Sequence, residues 1–233
     1  LLMKSGMGTF ASILVAMALG TGAGLLNGLL IAYGGLSAFV GTLATMTAYG
    51  GVALLISKGT TIFALPENFR VLGQGSMGFL PISVLIMALT VLVVALLLEQ
   101  TTYGRRLYAI GGNEEASFLS GIRTRQVRLI AFGVSGFFAS LGGIVLTSRL
   151  FSAHPQAGSP FMLNAAAAVF LGMTAFREGE ANIWGTLLGV FIIGVMGNGL
   201  NILGINTYVQ SILTGAIIIF AVLLSSLAKK RQR

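Results

Sequence analysis

The stretch from Ser5 to Ser57, SGMGTFASILVAMALGTGAGLLNGLLIAYGGLSAFVGTLATMTAYGGVALLIS, lies between Lys4 and Lys58 and leaves 53 residues without a charge. One apolar helix needs about 20 residues to cross the hydrocarbon core of a bilayer. The stretch is too long for one crossing and the right length for two. Tyr33-Gly34-Gly35 is the natural break, because paired glycines next to a bulky residue mark a tight turn. The spacing predicts spans over 9–32 and 36–56.

Charge serves as a ruler for the rest of the chain. Pro66, Glu67 and Asn68 make 58–80 a polar loop, and Pro81 opens a third span to about Leu98, since a proline at a helix start sacrifices no hydrogen bond. Residues 99–128 form the main polar segment. A fourth span is predicted over 129–148. A loop holding His154 and Pro155 follows, then a fifth span near 161–176, weakened by Asn164 and its run of alanines. Phe176-Arg-Glu-Gly-Glu180 reads as a polar turn, and the uncharged run from Ala181 to Ala228 holds two more spans, 183–201 and 208–227, with a turn around Asn201–Asn206. Seven spans result, an all-α, polytopic transmembrane bundle.

Composition requires the same class. The chain of 233 residues is 55% hydrophobic and 9% charged, with 14 Lys+Arg against 6 Asp+Glu. A soluble domain carries about a quarter charged residues, so lipid must cover most of this surface. The net charge of +8 does not indicate nucleic acid, because the basic residues sit in short clusters at the edges of apolar runs, where membrane proteins keep them. The absence of cysteine excludes disulfides and thiolate chemistry.

Lys/Arg bias sets orientation. Arg105, Arg106, Arg123, Arg125 and Arg128 in the polar segment, and Lys229, Lys230, Arg231 and Arg233 in the tail, are expected in the cytoplasm. Four spans separate these two clusters, as two points on one side require. The 177–180 turn then also faces the cytoplasm, and 58–80 and 149–160 face outward. Residue 1 falls outside. With an odd number of spans and a first residue that is Leu rather than Met, further spans are expected before Leu1.

Within the polar segment, Asn113 is suited to cap a short helix. Glu114 and Glu115 fall in its first turn, where the dipole favours acids, and Ser120-Gly121 supplies the stop. Phe118, Leu119 and Ile122 would form a small apolar ridge. Such a helix suits docking into a groove of a soluble partner; the alternative is a solvated loop that only sets topology.

Ala109-Ile-Gly-Gly-Asn-Glu-Glu-Ala116 followed by Leu119-Ser-Gly-Ile122 resembles the cytoplasmic loop of the ribose/galactose-type permeases of bacterial ATP-binding-cassette (ABC) sugar importers. Gly41-Thr-Leu-Ala-Thr-Met46 resembles their mid-chain span, and Asn198-Gly-Leu-Asn-Ile-Leu-Gly204 their penultimate turn. The similarity runs through the whole chain in order. The family has about ten spans, which at about 20 residues each implies about three more at the N-terminus. The resemblance implies a single permease domain over 1–233 in the bacterial inner membrane, with a cytoplasmic C-terminus and the coupling loop at 99–128. It implies a second permease subunit, homo- or heterodimeric, a cytoplasmic ABC ATPase docked on Gly111, Gly112, Asn113, Glu114, Glu115, Phe118, Leu119, Ser120 and Gly121, and an extracytoplasmic solute-binding protein. One departure is the Phe176–Glu180 turn, glycine-rich in many relatives, which leaves the solute open. No G-x-x-x-x-G-K-[ST] occurs, so ATP would be bound by the partner, and no cofactor or metal is expected in this chain.

Gly20, Gly24 and Gly28 form a double G-x-x-x-G that lets another helix approach closely, either within the chain or across a permease–permease interface. Asn27, Asn164, Asn198 and Asn201 are polar at membrane depth and are candidates for the solute pathway, with helix–helix hydrogen bonding as the alternative. His154 has no clustered ligand and reads as a loop residue. Glu178 and Glu180 read as a solvated turn, and Trp184 as an interfacial anchor. No predicted span holds a charged residue, which argues against a proton-coupled carrier. The expected activity is a transport subunit and not an enzyme, for a sugar or related polar solute. A branched-chain amino acid permease and an ion-coupled carrier are the rivals.

Overall fold

The computed structural model describes residues 1–175, 180–206 and, within 208–219, all but 211, 214 and 218. The chain forms two compact units, 1–157 and 158–233. Among the described residues, five helices are long and apolar enough to cross a membrane: Thr9–Ala32, Ala38–Ser57, Ile82–Gln100, Thr124–Leu150 and Ile183–Ile202. They match five of the predicted spans. The predicted fifth span is a shorter apolar helix, Ser159–Ala175. Most of the span expected at 208–227, the basic tail, and Arg177 and Glu178 of the polar turn lie outside the described residues.

In the first unit, α1 (Thr9–Ala32) packs along α7 (Thr124–Leu150). Gly20 faces Ser140, Gly24 faces Phe132 and Gly136, and Gly28 faces Leu129. Contacts descend along α7 as they ascend along α1, so the two helices are antiparallel. Helix α2 (Ala38–Ser57) is tied to α1 by the Tyr49 hydroxyl, which donates to the Ala23 carbonyl at 3.1 Å. Only Gly41 of α2 is buried; the rest of this apolar helix, Leu55 at 80% exposure included, is surface that water cannot cover favourably and a bilayer can.

The segment 58–80, expected as a loop, contains helix α3 (Glu67–Gln74) and a small antiparallel hairpin, β1 (Ser76–Met77) with β2 (Leu80–Pro81). Helix α3 forms because Phe69 finds a buried place against Leu65 and Ile144, an anchor that local polarity conceals. Helix α4 (Ile82–Ala95) continues as one π-helical turn, Leu96–Gln100. The polar segment then folds as α5 (Thr102–Gly112), also unexpected, and α6 (Glu114–Leu119). Thr101 caps α5, its hydroxyl accepting from the Gly104 N–H at 3.2 Å. Gly104 lies so close to the Leu98 backbone that a Cβ would collide with it.

In the second unit, α8 (Ser159–Ala175) packs on α9 (Ile183–Ile202). Gly172 meets the backbone of Gly185, and Gly189 that of Ala168. Asn182 caps α9 by accepting from the Gly185 N–H at 2.6 Å. Gly204 ends α9 with φ of 72°; its N–H donates to Asn201 O and that of Ile205 to Leu200 O, which is a Schellman cap.

Candidate functional site

The polar segment between α4 and α7 is built around α6. The Asn113 side chain accepts from the Ala116 N–H at 3.0 Å, which satisfies one of the amides left unpaired at a helix start. At the other end, Gly121 has φ of 83°. Its N–H donates to Phe118 O at 2.9 Å and that of Ile122 to Ser117 O at 3.1 Å. This is again a Schellman cap, and it explains why glycine stands at 121.

One face of α6 turns inward. Ser117 is buried, and its hydroxyl donates to Asn113 O at 2.8 Å. The other face is open: Phe118 is 66% and Leu119 79% exposed. Ile122, expected on the same ridge, is half-buried. Gly111, Gly112, Glu115 and Ser120 are exposed around this face, and the Ser120 hydroxyl folds back onto Ala116 O at 2.8 Å. Two bulky apolar side chains on a helix too short to be a membrane span form an apolar knob that a soluble partner can cover.

The segment is held to the long helices. Glu114 Oε2 pairs with Arg128 Nη2 of α7 at 2.6 Å. The Tyr103 hydroxyl of α5 donates to Val127 O at 3.2 Å, and burial raises the Tyr103 pKa above the usual phenol value. Ile110, Thr124 and Val127 are buried.

The predicted membrane-depth residues fall on α1, α8 and α9. Gly20, Gly24 and Gly28 all lie in the α1–α7 contact. Asn27 is half-buried in α1, and its side-chain oxygen is buried without a hydrogen-bond partner. Asn164 is half-buried in α8, while Asn198 and Asn201 are exposed near the end of α9. Asn27 and the other three belong to different units. In Gly41–Met46, Thr42 and Thr45 return their hydroxyls to the carbonyls of Ala38 and Gly41 at 2.7 and 3.1 Å, which satisfies them within α2. His154 is exposed, and its Nδ1 accepts from the Gln156 N–H. Trp184 is half exposed in the first turn of α9. Among the described residues no group of His, Asp and Glu side chains could hold a metal ion.

The small residues of α7 that face α1, Gly133, Gly136 and Ser140, were not anticipated, although their spacing of three and four is a helical-face signal of the same kind as that on α1.

Comparison with known proteins agrees with this architecture. The model of the family described as branched-chain amino acid transport system / permease component matches residues 1–222. The chain is similar to the ribose import permease of Bacillus subtilis, 44% identical over 85% of this chain and 62% of the relative. It is 39% identical to the ribose import permease of Haemophilus influenzae over 92% of this chain and 68% of the relative. It is 36% identical to the D-allose transport system permease of Escherichia coli over 98% and 71%. No solved structure matches the chain. The chain thus spans under two thirds of the length of the Bacillus relative. An apolar multi-helix architecture, a family match that runs nearly end to end and long alignments with named permeases make this chain a member of the polytopic membrane permease family of the branched-chain amino acid transport system type.

Proposed function

We propose that the chain is the translocation subunit of an ABC importer for a monosaccharide, in the inner membrane of a bacterium. The observation that carries the reading is the 44% identity to a ribose import permease over 85% of the chain; relatives named for D-allose and L-arabinose support the same solute class. The family description favours a second reading, a branched-chain amino acid as solute, and uptake of labelled ribose or leucine by the same proteoliposomes separates the two.

In this reading α6 is the coupling helix. Phe118 and Leu119 enter a groove of a cytoplasmic ATPase, while Gly111, Gly112, Asn113, Glu114, Glu115, Ser120 and Gly121 shape and cap the element that carries them. ATP is bound by that partner, and this chain has no cofactor of its own. A solute-binding protein delivers sugar on the far side, a second permease subunit completes the pore, and the C-terminus is cytoplasmic. Asn27, Asn164, Asn198 and Asn201 are pathway residues; the unpaired side-chain oxygen of Asn27 supports its inclusion. Closure of the ATPase acts on the membrane helices only through a difference in affinity between pore states, and α6 is where that difference is applied.

The test is co-purification with a candidate ABC ATPase, repeated with Glu114→Ala plus Glu115→Ala and with Gly121→Val. The wild type is expected to retain the ATPase and show binding-protein-stimulated hydrolysis, and the variants to lose one or both. A wild-type chain that binds no ATPase and takes up sugar without ATP would leave an ion-coupled carrier as the answer.

A further inference from the structure

The densest polar network at the end of α7 away from α6 joins it to α3. The Ser148 side chain is fully buried. Its Oγ donates to Phe69 O at 2.5 Å and accepts from the Gly73 N–H at 2.8 Å. These two backbone groups form one i, i+4 step of α3, so a hydroxyl from α7 is built into the hydrogen bonding of α3. Around it, the Gln74 amide donates to Arg149 O at 2.8 Å and accepts from Arg70 Nε at 2.5 Å, and the Arg70 guanidinium lies over the Phe151 ring. Gly73 sits so close that a Cβ would come within 2.6 Å of Arg149 Cα.

At its opposite end α7 is joined to the polar segment by the solvent-exposed Glu114–Arg128 ion pair with α6 and by the Tyr103 bond to Val127 O. Arg128 and Ser148 are 20 residues apart, about 30 Å of helix, which is the thickness of a hydrocarbon core. We infer that Ser148 is a positioning residue of the transport cycle, fixing α3 to α7 so that α3, α7 and the coupling helix α6 move as one lever across the membrane. The inference rests on the importer reading above. A rigid rod latched at both ends carries a displacement applied at α6 to α3 without dissipating it in a joint. A loose outer joint would let ATP be hydrolysed without the outer end following.

No cysteine occurs in these 233 residues, and any elsewhere in the transporter is replaced before paired labelling. In the whole transporter reconstituted with its ATPase and binding protein, spin labels replace exposed Val71 on α3 and Leu150 on α7. The expected result is one narrow distance within the subunit, read with the labelled chain diluted in unlabelled chain, and the same in nucleotide-free and ATP-trapped states. Ser148→Ala is expected to broaden it and to lower the sugar moved per ATP about five-fold, the scale of losing one or two buried hydrogen bonds. Gly73→Ala wedges the same joint and should do likewise, so it carries the test if Ser148→Ala does not reach the membrane. A wild-type distance that changes between states overturns the lever, as does a Ser148→Ala transporter with wild-type distance and stoichiometry. Lack of any ATPase stimulation in the wild type would instead sink the importer reading.

Discussion

Gly24→Ala tests the packing that organises the first unit. A Cβ at 24 would press on the Phe132 carbonyl and stand 3.0 Å from Gly136 Cα. Ordinary contact is about 3.5 Å, and the carbonyl contact is the closer of the two, so the axes of α1 and α7 would have to part by about 1 Å. A gap of that size forfeits about half of each dispersion contact along the seam. Overpacking of this kind costs about 1–3 kcal/mol. Gly22 is the internal control: it lies on the same helix, and a Cβ there meets open space. Replacing glycine by alanine in a helix also gains about 0.8–1.0 kcal/mol of propensity, but this gain is common to both variants and cancels in their difference. At about 2–4 °C per kcal/mol for a chain of this size, Gly24→Ala should melt about 2–12 °C below Gly22→Ala. The assay is size-exclusion recovery after heating in detergent. Equal melting of the two variants, to within about 1 °C on the same scale, would refute the glycine-seam account of α1 and α7.

Asn113→Ala should fray α6 by about 1 kcal/mol, the usual value of an N-cap, seen as faster amide exchange at Ala116 and weaker ATPase retention; Asn113→Asp should preserve both. Tyr103 supplies a pH test. Its folded-state pKa is raised by burial above the usual value of 10.0, so its stabilising effect is complete below pH about 10 and is lost as pH rises through the folded value. Thermal stability of the wild type should therefore fall in that window, and Tyr103→Phe should flatten the fall while losing the bond to Val127 O at lower pH. A variant with the wild-type alkaline profile would show that another group governs it.

The long helices were legible because charge-free length is a tertiary signal written locally: lipid forbids charges, so the charge-free runs mark where α1 and α9 lie, and the turns at Tyr33-Gly34-Gly35 and Asn201–Asn206 mark where they end. The caps of α6 were legible for a similar reason, since Asn113 and Gly121 act within a few residues of themselves. Helix α3 was read as loop from Pro66, Glu67 and Asn68, yet Pro66 followed by an acid at the first position is also a helix-start pattern. What tips the balance is burial of Phe69 against Ile144, a contact 75 residues away that no local window contains. Ser148 was invisible for the same reason; a serine in the last turn of an apolar helix gives no sign that its partners are Phe69 and Gly73. The ion pair of Glu114 with Arg128 depends on how the chain turns between α6 and α7, so spacing alone could not announce it.

The π-helical turn at Leu96–Gln100 amounts to one extra residue wound into a helix, and such an insertion changes azimuth more than length. Each α-helical residue advances about 100° around the axis but only about 1.5 Å along it. The extra residue therefore sets the bearing at which the helix ends, where extended Thr101 breaks it and the close approach of Gly104 to the Leu98 backbone fixes how α5 leaves. Removing a single residue between 96 and 100 would leave the depth of α5 nearly unchanged while rotating the whole α5–α6 segment about the axis of α4. Angular aim of the α5–α6 segment is therefore stored in a feature that a count of membrane-spanning residues does not register.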